Sequence, residues 1–188
     1  WEVGAVGARA GSGAVWPGWC AAWAPGAGLV GGVSVLCGAR VALAQGDLKR
    51  MIAYTSVSHM GYIVLALGAA GAAGESATAA RETAVTGAVT QMVSHGLITG
   101  ALFLLVGVLH SRAGTYSMGA FGGLAAPAPR FEAFFAVGAF ASLGLPGFSG
   151  FIAEFQIFAG SIGTVPLTAI ALPGILLPAA PLTVRVKG

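Results

Sequence analysis

An acid that follows a group of helix-breaking residues is the feature of this sequence most capable of chemistry. The stretch LGLPGFSGFIAEF (143–155) contains Pro146, Gly147 and Gly150 and then Glu154, within an otherwise apolar segment. An ionised carboxylate in such a segment is costly, so it usually faces a bundle interior or a hydrated cavity. A carboxyl balanced between burial and nearby cations can gain and lose a proton as its neighbours change. The pattern predicts proton or ion movement; the alternative is a structural hydrogen bond or ion pair.

Two histidines lie in apolar segments where they could relay protons. His95 recurs with Gln91 and Thr99 every four residues, so the three side chains share one helix face. His59 lies on a similar polar face in the segment MIAYTSVSHMGY (51–62). Imidazole titrates near neutrality and can pass protons through water or hydroxyl groups. Hydrogen bonding between helices is the alternative for both histidines. Lys49 is predicted to anchor its helix at the membrane interface, with a place in the proton path as its alternative.

The composition places these residues in an integral membrane protein. Of the 188 residues, 56% are hydrophobic and 8% are charged, whereas soluble domains carry roughly a quarter charged residues. The net charge of +3 is not gathered into a basic patch, so we expect no nucleic-acid partner. Phosphate-binding, zinc-binding and serine-nucleophile motifs are missing, and Cys20 and Cys37 form no C-x-x-C pair. We therefore expect no metal, cofactor or redox centre in this chain.

Segment lengths predict an all-α polytopic membrane protein with about five transmembrane helices. A bilayer core about 30 Å thick needs roughly 20 apolar residues of helix. The candidate spans, within a bundle over 27–183, are residues 27–46, 51–72, 84–109, 131–161 and 164–183. Residues 1–26 give no clean helix and stay unassigned, and residues 184–188 are predicted to be a cytoplasmic tail.

The fourth span is too long for one straight crossing, and the positive charges orient the others. Pro146 lacks an N–H group and two glycines follow it, so we predict two half-helices joined near residues 145–150. Lys and Arg residues are retained in cytoplasmic loops. They fall in the loops at 47–50 and 110–130 and at the C-terminus, which we therefore place on the cytoplasmic side.

Three blocks of the sequence resemble one known family. They are ALAQGDLKRMIAYTSVSHMGY (42–62), QMVSHGLITGALFLLVGVLHSR (91–112) and ASLGLPGFSGFIAEF (141–155). They closely resemble the chain M, or subunit 4, type of antiporter-like membrane subunit of proton-translocating NADH:quinone oxidoreductase, respiratory complex I. The resemblance covers about residues 29–172 and implies the C-terminal part of an inverted-repeat bundle whose broken helix is the fourth span. Residues 1–25 and the prolines at 173, 178 and 181 depart from the family pattern.

The resemblance also implies a function and roles for two residues. Glu154 resembles the terminal proton-accepting acid of the chain M type, and His95 resembles the residue on the family's central hydrophilic axis. Protons would be translocated while NADH, FMN, iron–sulfur clusters and quinone act in other subunits. The implied partners are the other membrane-arm subunits and the lipid bilayer, in a bacterial cytoplasmic membrane. Two alternatives stay open: a subunit of a multisubunit Na⁺/H⁺ antiporter, where lysine usually replaces the acid, and a structural scaffold.

Overall fold

The computed structural model describes residues 17–73, 77–162 and 164, and these residues are organised as helices. The elements are α1 (Pro17–Leu43), α2 (Leu48–Ala72), α3 (Thr78–Ala113), a short 3₁₀ helix (Met118–Ala120), α4 (Pro129–Ser142) and α5 (Ser149–Ile162). Three of them, α1 from Ala22 onward, α2 and α3, are long and apolar enough to cross a membrane. The predicted all-α class is confirmed. The predicted span at 164–183 and tail at 184–188 lie outside the described residues, apart from residue 164.

Helix α1 begins ten residues earlier than the sequence analysis placed its span. It starts at Pro17, and Pro25 lies inside it. Proline is tolerated in the first turn because the N–H group it lacks would have no partner there. The Gly, Ala and Trp residues that follow carry no apolar periodicity, so the pattern does not predict a helix there. Helix α3 also extends beyond its predicted bounds of 84–109, and it ends at Ala113, where Gly114 caps it with a φ of +69°.

Helices α1 and α2 pack backbone against backbone through glycines. A Cβ atom on Gly31 would lie 2.5 Å from the backbone nitrogen of Leu65, and one on Gly61 would lie 2.8 Å from the carbonyl oxygen of Gly31. Ser58 Oγ adds a hydrogen bond of 2.9 Å to the carbonyl oxygen of Val35. Small residues at such positions let membrane helices approach closely. This contact fixes α2, and with it the direction in which His59 points.

Helix α5 packs against α3 in the same manner. A Cβ atom on Gly87 would lie 2.7 Å from the backbone nitrogen of Ile157, and one on Gly160 would lie 2.6 Å from the carbonyl oxygen of Ala80. The buried face of α5 repeats at helical spacing and comprises Gly150, Ala153, Glu154, Ile157, Phe158, Gly160 and Ser161. Glu154 therefore lies on the face that α5 turns toward α2 and α3.

The fourth predicted span consists of two half-helices, α4 and α5, joined by residues 143–148, which we call the elbow. Each half has 14 residues, or about 21 Å of helix, so neither crosses a membrane alone. The elbow turns at Gly144 and Gly147, whose φ values are +61° and +106°. Gly150 lies in the first turn of α5 rather than in the elbow. A Cβ atom there would lie 3.0 Å from the carbonyl oxygen of Ala141, so Gly150 lets the two half-helices meet closely.

Two loops meet at the end of the bundle that the charge pattern assigns to the cytoplasm. The backbone N–H of Leu48 donates to the carbonyl oxygen of Tyr116, and that of Met118 donates to Gly46, both at 2.9 Å. Asp47 caps α2 by accepting a hydrogen bond of 2.9 Å from the N–H of Arg50. The positive side chains at this end, Arg40, Lys49, Arg50, Arg112 and Arg130, are exposed.

Two apolar clusters fill the bundle on either side of its centre. One, which we call the cytoplasmic cluster because it lies at the end that the charge pattern assigns to the cytoplasm, consists of Leu48, Met51, Ile52, Leu102, Val106 and Leu109. The other, which we call the extracytoplasmic cluster, includes Tyr62, Ile63, Leu65, Ala84, Ala88, Ile157 and Phe158. The buried ionisable groups described next lie between the two clusters along α2 and α3.

Candidate functional site: a buried acid and two histidines

Glu154 is the one acidic side chain that is buried among the residues the structure describes. It is 4% exposed, and its Oε1 atom lies 3.6 Å from Nδ1 of His59, which is 5% exposed. Burying a carboxylate is costly unless a cation or hydrogen-bond donors compensate it. A protonated His59 would supply that compensation from the neighbouring helix, so the charge of each side chain depends on the charge of the other.

The same nitrogen of His59 meets a second partner. Gln91 Nε2, on α3, lies 3.2 Å from His59 Nδ1. When Nδ1 carries a hydrogen, it can donate toward Glu154. When it carries a lone pair, it can accept from the Gln91 amide, and the proton can then lie on the Glu154 carboxyl. The three side chains therefore have two arrangements that differ by the position of one proton.

His95 lies beside this pair and lines the same cavity as Glu154. Its ring centroid is 5.4 Å from that of His59, and the rings are tilted by 44°. The cavity is lined by His59, Gln91, Ser94, His95, Ile98, Thr99, Ala141, Ser142, Gly150 and Glu154. The cavity volume is about 10 Å³, which is close to the minimum that one water molecule needs. The polar stripe predicted for Gln91, His95 and Thr99 lines this cavity.

Two further hydroxyl groups, which the sequence analysis did not single out, tie α3 to the start of α5. Ser94 Oγ and Ser149 Oγ are 2.7 Å apart, and Ser94 also lines the cavity. Ser149 is the first residue of α5, directly after the elbow. The hydrogen bond therefore connects the broken helix to the helix that carries His95. Ser94 precedes His95 in the sequence, but nothing in the sequence pairs it with a residue 55 positions away.

Gly144 is a third residue that sequence reasoning missed. A Cβ atom built on it would lie 2.5 Å from Oε2 of Glu154 and 3.1 Å from its Cδ. The carboxylate thus occupies the space that any other side chain at position 144 would need. Pro146 and Gly147, which are predicted to form the break, are both exposed on the elbow.

Lys49 lies apart from the buried cluster. It is in the first turn of α2, ten residues from His59, or about 15 Å along the helix axis. Its Nζ atom lies 5.3 Å from the ring centroid of Tyr116, and that ring stacks on His110 at 4.0 Å. This environment agrees with an anchor at the interface. Within 17–73 and 77–162, no group of three His, Cys, Asp or Glu side chains is arranged to hold a metal ion.

Comparison with known proteins shows the family to which this chain belongs. The family described as NADH:quinone oxidoreductase/Mrp antiporter, transmembrane, matches residues 19–177. The chain therefore belongs to this family. The resemblance to the subunit M, or chain 4, type is confirmed by curated relatives with those names.

The curated relatives come from several kinds of organism. F(420)H(2) dehydrogenase subunit M of Methanosarcina mazei is 46% identical over 153 residues, which cover 81% of this chain and 29% of the relative. NADH-quinone oxidoreductase subunit M of Rhodobacter capsulatus is 40% identical over 153 residues, which cover 81% of this chain and 28% of the relative. The chain thus spans less than a third of the length of these relatives.

A solved structure carries the same arrangement of helices. It is respiratory complex I from Thermus thermophilus with bound NADH, which matches with a TM-score of 0.88 and 31% identity. The match covers 98% of this chain and 38% of that chain. The predicted antiporter-like bundle is therefore confirmed at the level of the fold.

Proposed function

We propose that this chain is part of a membrane-arm subunit that translocates protons, coupled to electron transfer from NADH to quinone in other subunits of a complex I. The observation that carries the proposal is the contact of 3.6 Å between Glu154 and His59 at the broken helix. It is supported by membership of the antiporter-like family and by relatives that are named as oxidoreductase subunits. An intramembrane acid and histidine in contact are the parts that a proton relay needs.

The geometry suggests an order for the relay. A proton that reaches His95 passes through the cavity, by way of one bridging water molecule, to His59. Nδ1 of His59 then gives its proton to Oε1 of Glu154, which becomes neutral as the imidazolium becomes imidazole. The free lone pair of Nδ1 accepts from the Gln91 amide, 3.2 Å away. This last hydrogen bond favours the state in which Glu154 holds the proton, so His95 and His59 act as relays and Glu154 as the terminal site.

The proposal extends to the partners and the location. The other membrane-arm subunits and the lipid bilayer are the partners, and an energy-transducing bacterial cytoplasmic membrane is the location. NADH, FMN, iron–sulfur clusters and quinone belong to other subunits. The name of the Methanosarcina relative gives a different electron donor, which supports the view that this subunit moves ions whatever the donor is.

The test replaces the acid in the full-length subunit within its assembled complex. Glu154→Gln keeps the shape of the side chain but removes its charge, so donor-driven proton uptake into inverted vesicles should fall at least tenfold while the complex still assembles. Glu82→Gln is the matched control, because Glu82 lies exposed near the start of α3. Proton uptake that is equal in Glu154→Gln, Glu82→Gln and the unaltered complex would leave only the scaffold role.

A second candidate is a subunit of a multisubunit Na⁺/H⁺ antiporter, which the description of the matched family includes. The acid at position 154 argues against it, because the antiporter relatives usually carry lysine there. The same vesicles distinguish the two functions. A proton flux that needs an imposed sodium gradient and no electron donor would favour the antiporter.

A further inference from the structure

Two buried hydroxyl groups on the extracytoplasmic side of Glu154 have no hydrogen-bond partner among the residues that the structure describes. They are Tyr62 Oη, on α2, and Ser161 Oγ, on α5, and both side chains are completely buried. A buried hydroxyl that lacks a partner destabilises the folded state. A phenylalanine and an alanine would fill the same spaces without that cost. The two hydroxyl groups therefore call for a functional explanation.

Their positions form a series that leads away from Glu154. Tyr62 lies one turn beyond His59 on α2, and the centroids of the two rings are 6.4 Å apart. Its ring meets the edge of Phe158 with centroids 5.6 Å apart, and Phe158 lies one turn beyond Glu154 on α5. Ser161 follows after three more residues, one position before the end of α5. From Glu154 to Ser161 the rise along the helix is about 10 Å.

Apolar side chains around Tyr62 close the path from Glu154 toward Ser161 in this structure. Tyr62 belongs to the extracytoplasmic cluster, which also contains Ile63 and Ile157, and its ring contacts that of Phe158. An apolar region of this kind excludes water until its side chains separate, and so prevents protons from leaking back. Hydroxyl groups within it give entering water molecules hydrogen-bond partners that purely apolar walls lack.

We infer that Tyr62 and Ser161 form the release step through which Glu154 discharges its proton to the extracytoplasmic side. This inference rests on the proposed function. When the cluster hydrates, the protonated carboxyl of Glu154 donates its hydrogen to the phenol oxygen of Tyr62, directly or through one water molecule. The hydrogen of the phenol passes at the same time to water beside Ser161. The acid becomes a carboxylate, the water beside Ser161 becomes hydronium, and Tyr62 ends neutral.

The test removes each hydroxyl and keeps the packing, in the full-length subunit of the assembled complex. Tyr62→Phe should lower donor-driven proton translocation per electron on the order of tenfold, since positioned proton transfer contributes roughly 10²–10⁴-fold in enzymes and water replaces part of it. Ser161→Ala should have a smaller effect in the same direction. The matched controls are Tyr54→Phe, whose side chain is 38% exposed, and Ser111→Ala, whose side chain is exposed.

A second measurement separates proton transfer from packing. Since release becomes the slow step, Tyr62→Phe should increase the solvent deuterium isotope effect on coupled turnover, and Tyr54→Phe should leave it unchanged. Unchanged translocation and isotope effect in Tyr62→Phe, with translocation lost in Glu154→Gln, would overturn the release step and leave the proposed function intact. Translocation that survives in both variants would overturn the proposed function itself.

Discussion

Gly144→Ala tests whether the elbow positions the Glu154 carboxylate. The added Cβ atom would lie 2.5 Å from Oε2, and ordinary contacts begin at 3.4 Å, so the carboxylate must retreat by about 0.9 Å. The φ of +61° lies in the left-handed region, where alanine costs about 1 kcal/mol. A displacement of about 1 Å at a reacting group can cost on the order of a hundredfold in rate. We expect proton translocation per electron to fall tenfold or more.

Gly147→Ala is the matched control for this substitution. Its φ of +106° is at least as unfavourable for alanine, yet a Cβ atom there would meet nothing within 4 Å. Both variants therefore strain the elbow, and only Gly144→Ala moves the carboxylate. The assay is donor-driven proton uptake by inverted vesicles, normalised to the amount of assembled complex. Equal losses of translocation in the two variants would refute the reasoning, because strain in the elbow would then explain both.

Two further predictions concern the packing that holds the site. Ser94→Ala and Ser149→Ala should each lower the free energy of unfolding by about 1 kcal/mol, because each removes the same 2.7 Å hydrogen bond. The double variant should therefore lose little more than either single variant, and additive losses in thermal unfolding would show that the bond contributes nothing. Gly31→Ala places a Cβ atom 2.5 Å from the Leu65 nitrogen and should cost about 1–3 kcal/mol. Gly100→Ala, which meets nothing within 4 Å, is its control, and equal melting temperatures for these two variants would contradict close packing of α1 on α2.

Much of the fold follows from the sequence because membrane spans are encoded by length and hydrophobicity. Apolar segments predict the positions of α2 and α3, and a group of helix-breaking residues predicts the interruption after residue 142. The start of α1 was not visible, since its first turns are rich in Gly, Ala and Trp and carry two prolines. Contacts of α1 with α2 are found from Ala24 onward, where a Cβ atom on Gly68 would lie 2.8 Å from the carbonyl oxygen of Ala24, and local composition does not record such contacts.

The site was partly predictable for a related reason. Buried polar residues in apolar segments are conspicuous, so His95 and Glu154 stood out, and both line one cavity. The contact of His59 with Glu154 joins residues 95 positions apart on helices α2 and α5, and only the helix packing sets it. Gly144 was not predicted to belong to the site, because the helix break already accounts for a glycine among several helix-breaking residues. Its proximity to the carboxylate is a property of the folded elbow.

The central claim is that Glu154 changes its protonation state during turnover. Infrared difference spectroscopy on the assembled complex, cycled between its oxidised and donor-reduced states, measures this directly. We predict a carbonyl band of a protonated carboxyl group that appears or disappears in the cycle, is absent from Glu154→Gln and persists in Glu82→Gln. A spectrum without any such band, or one whose band survives in Glu154→Gln, would contradict the account.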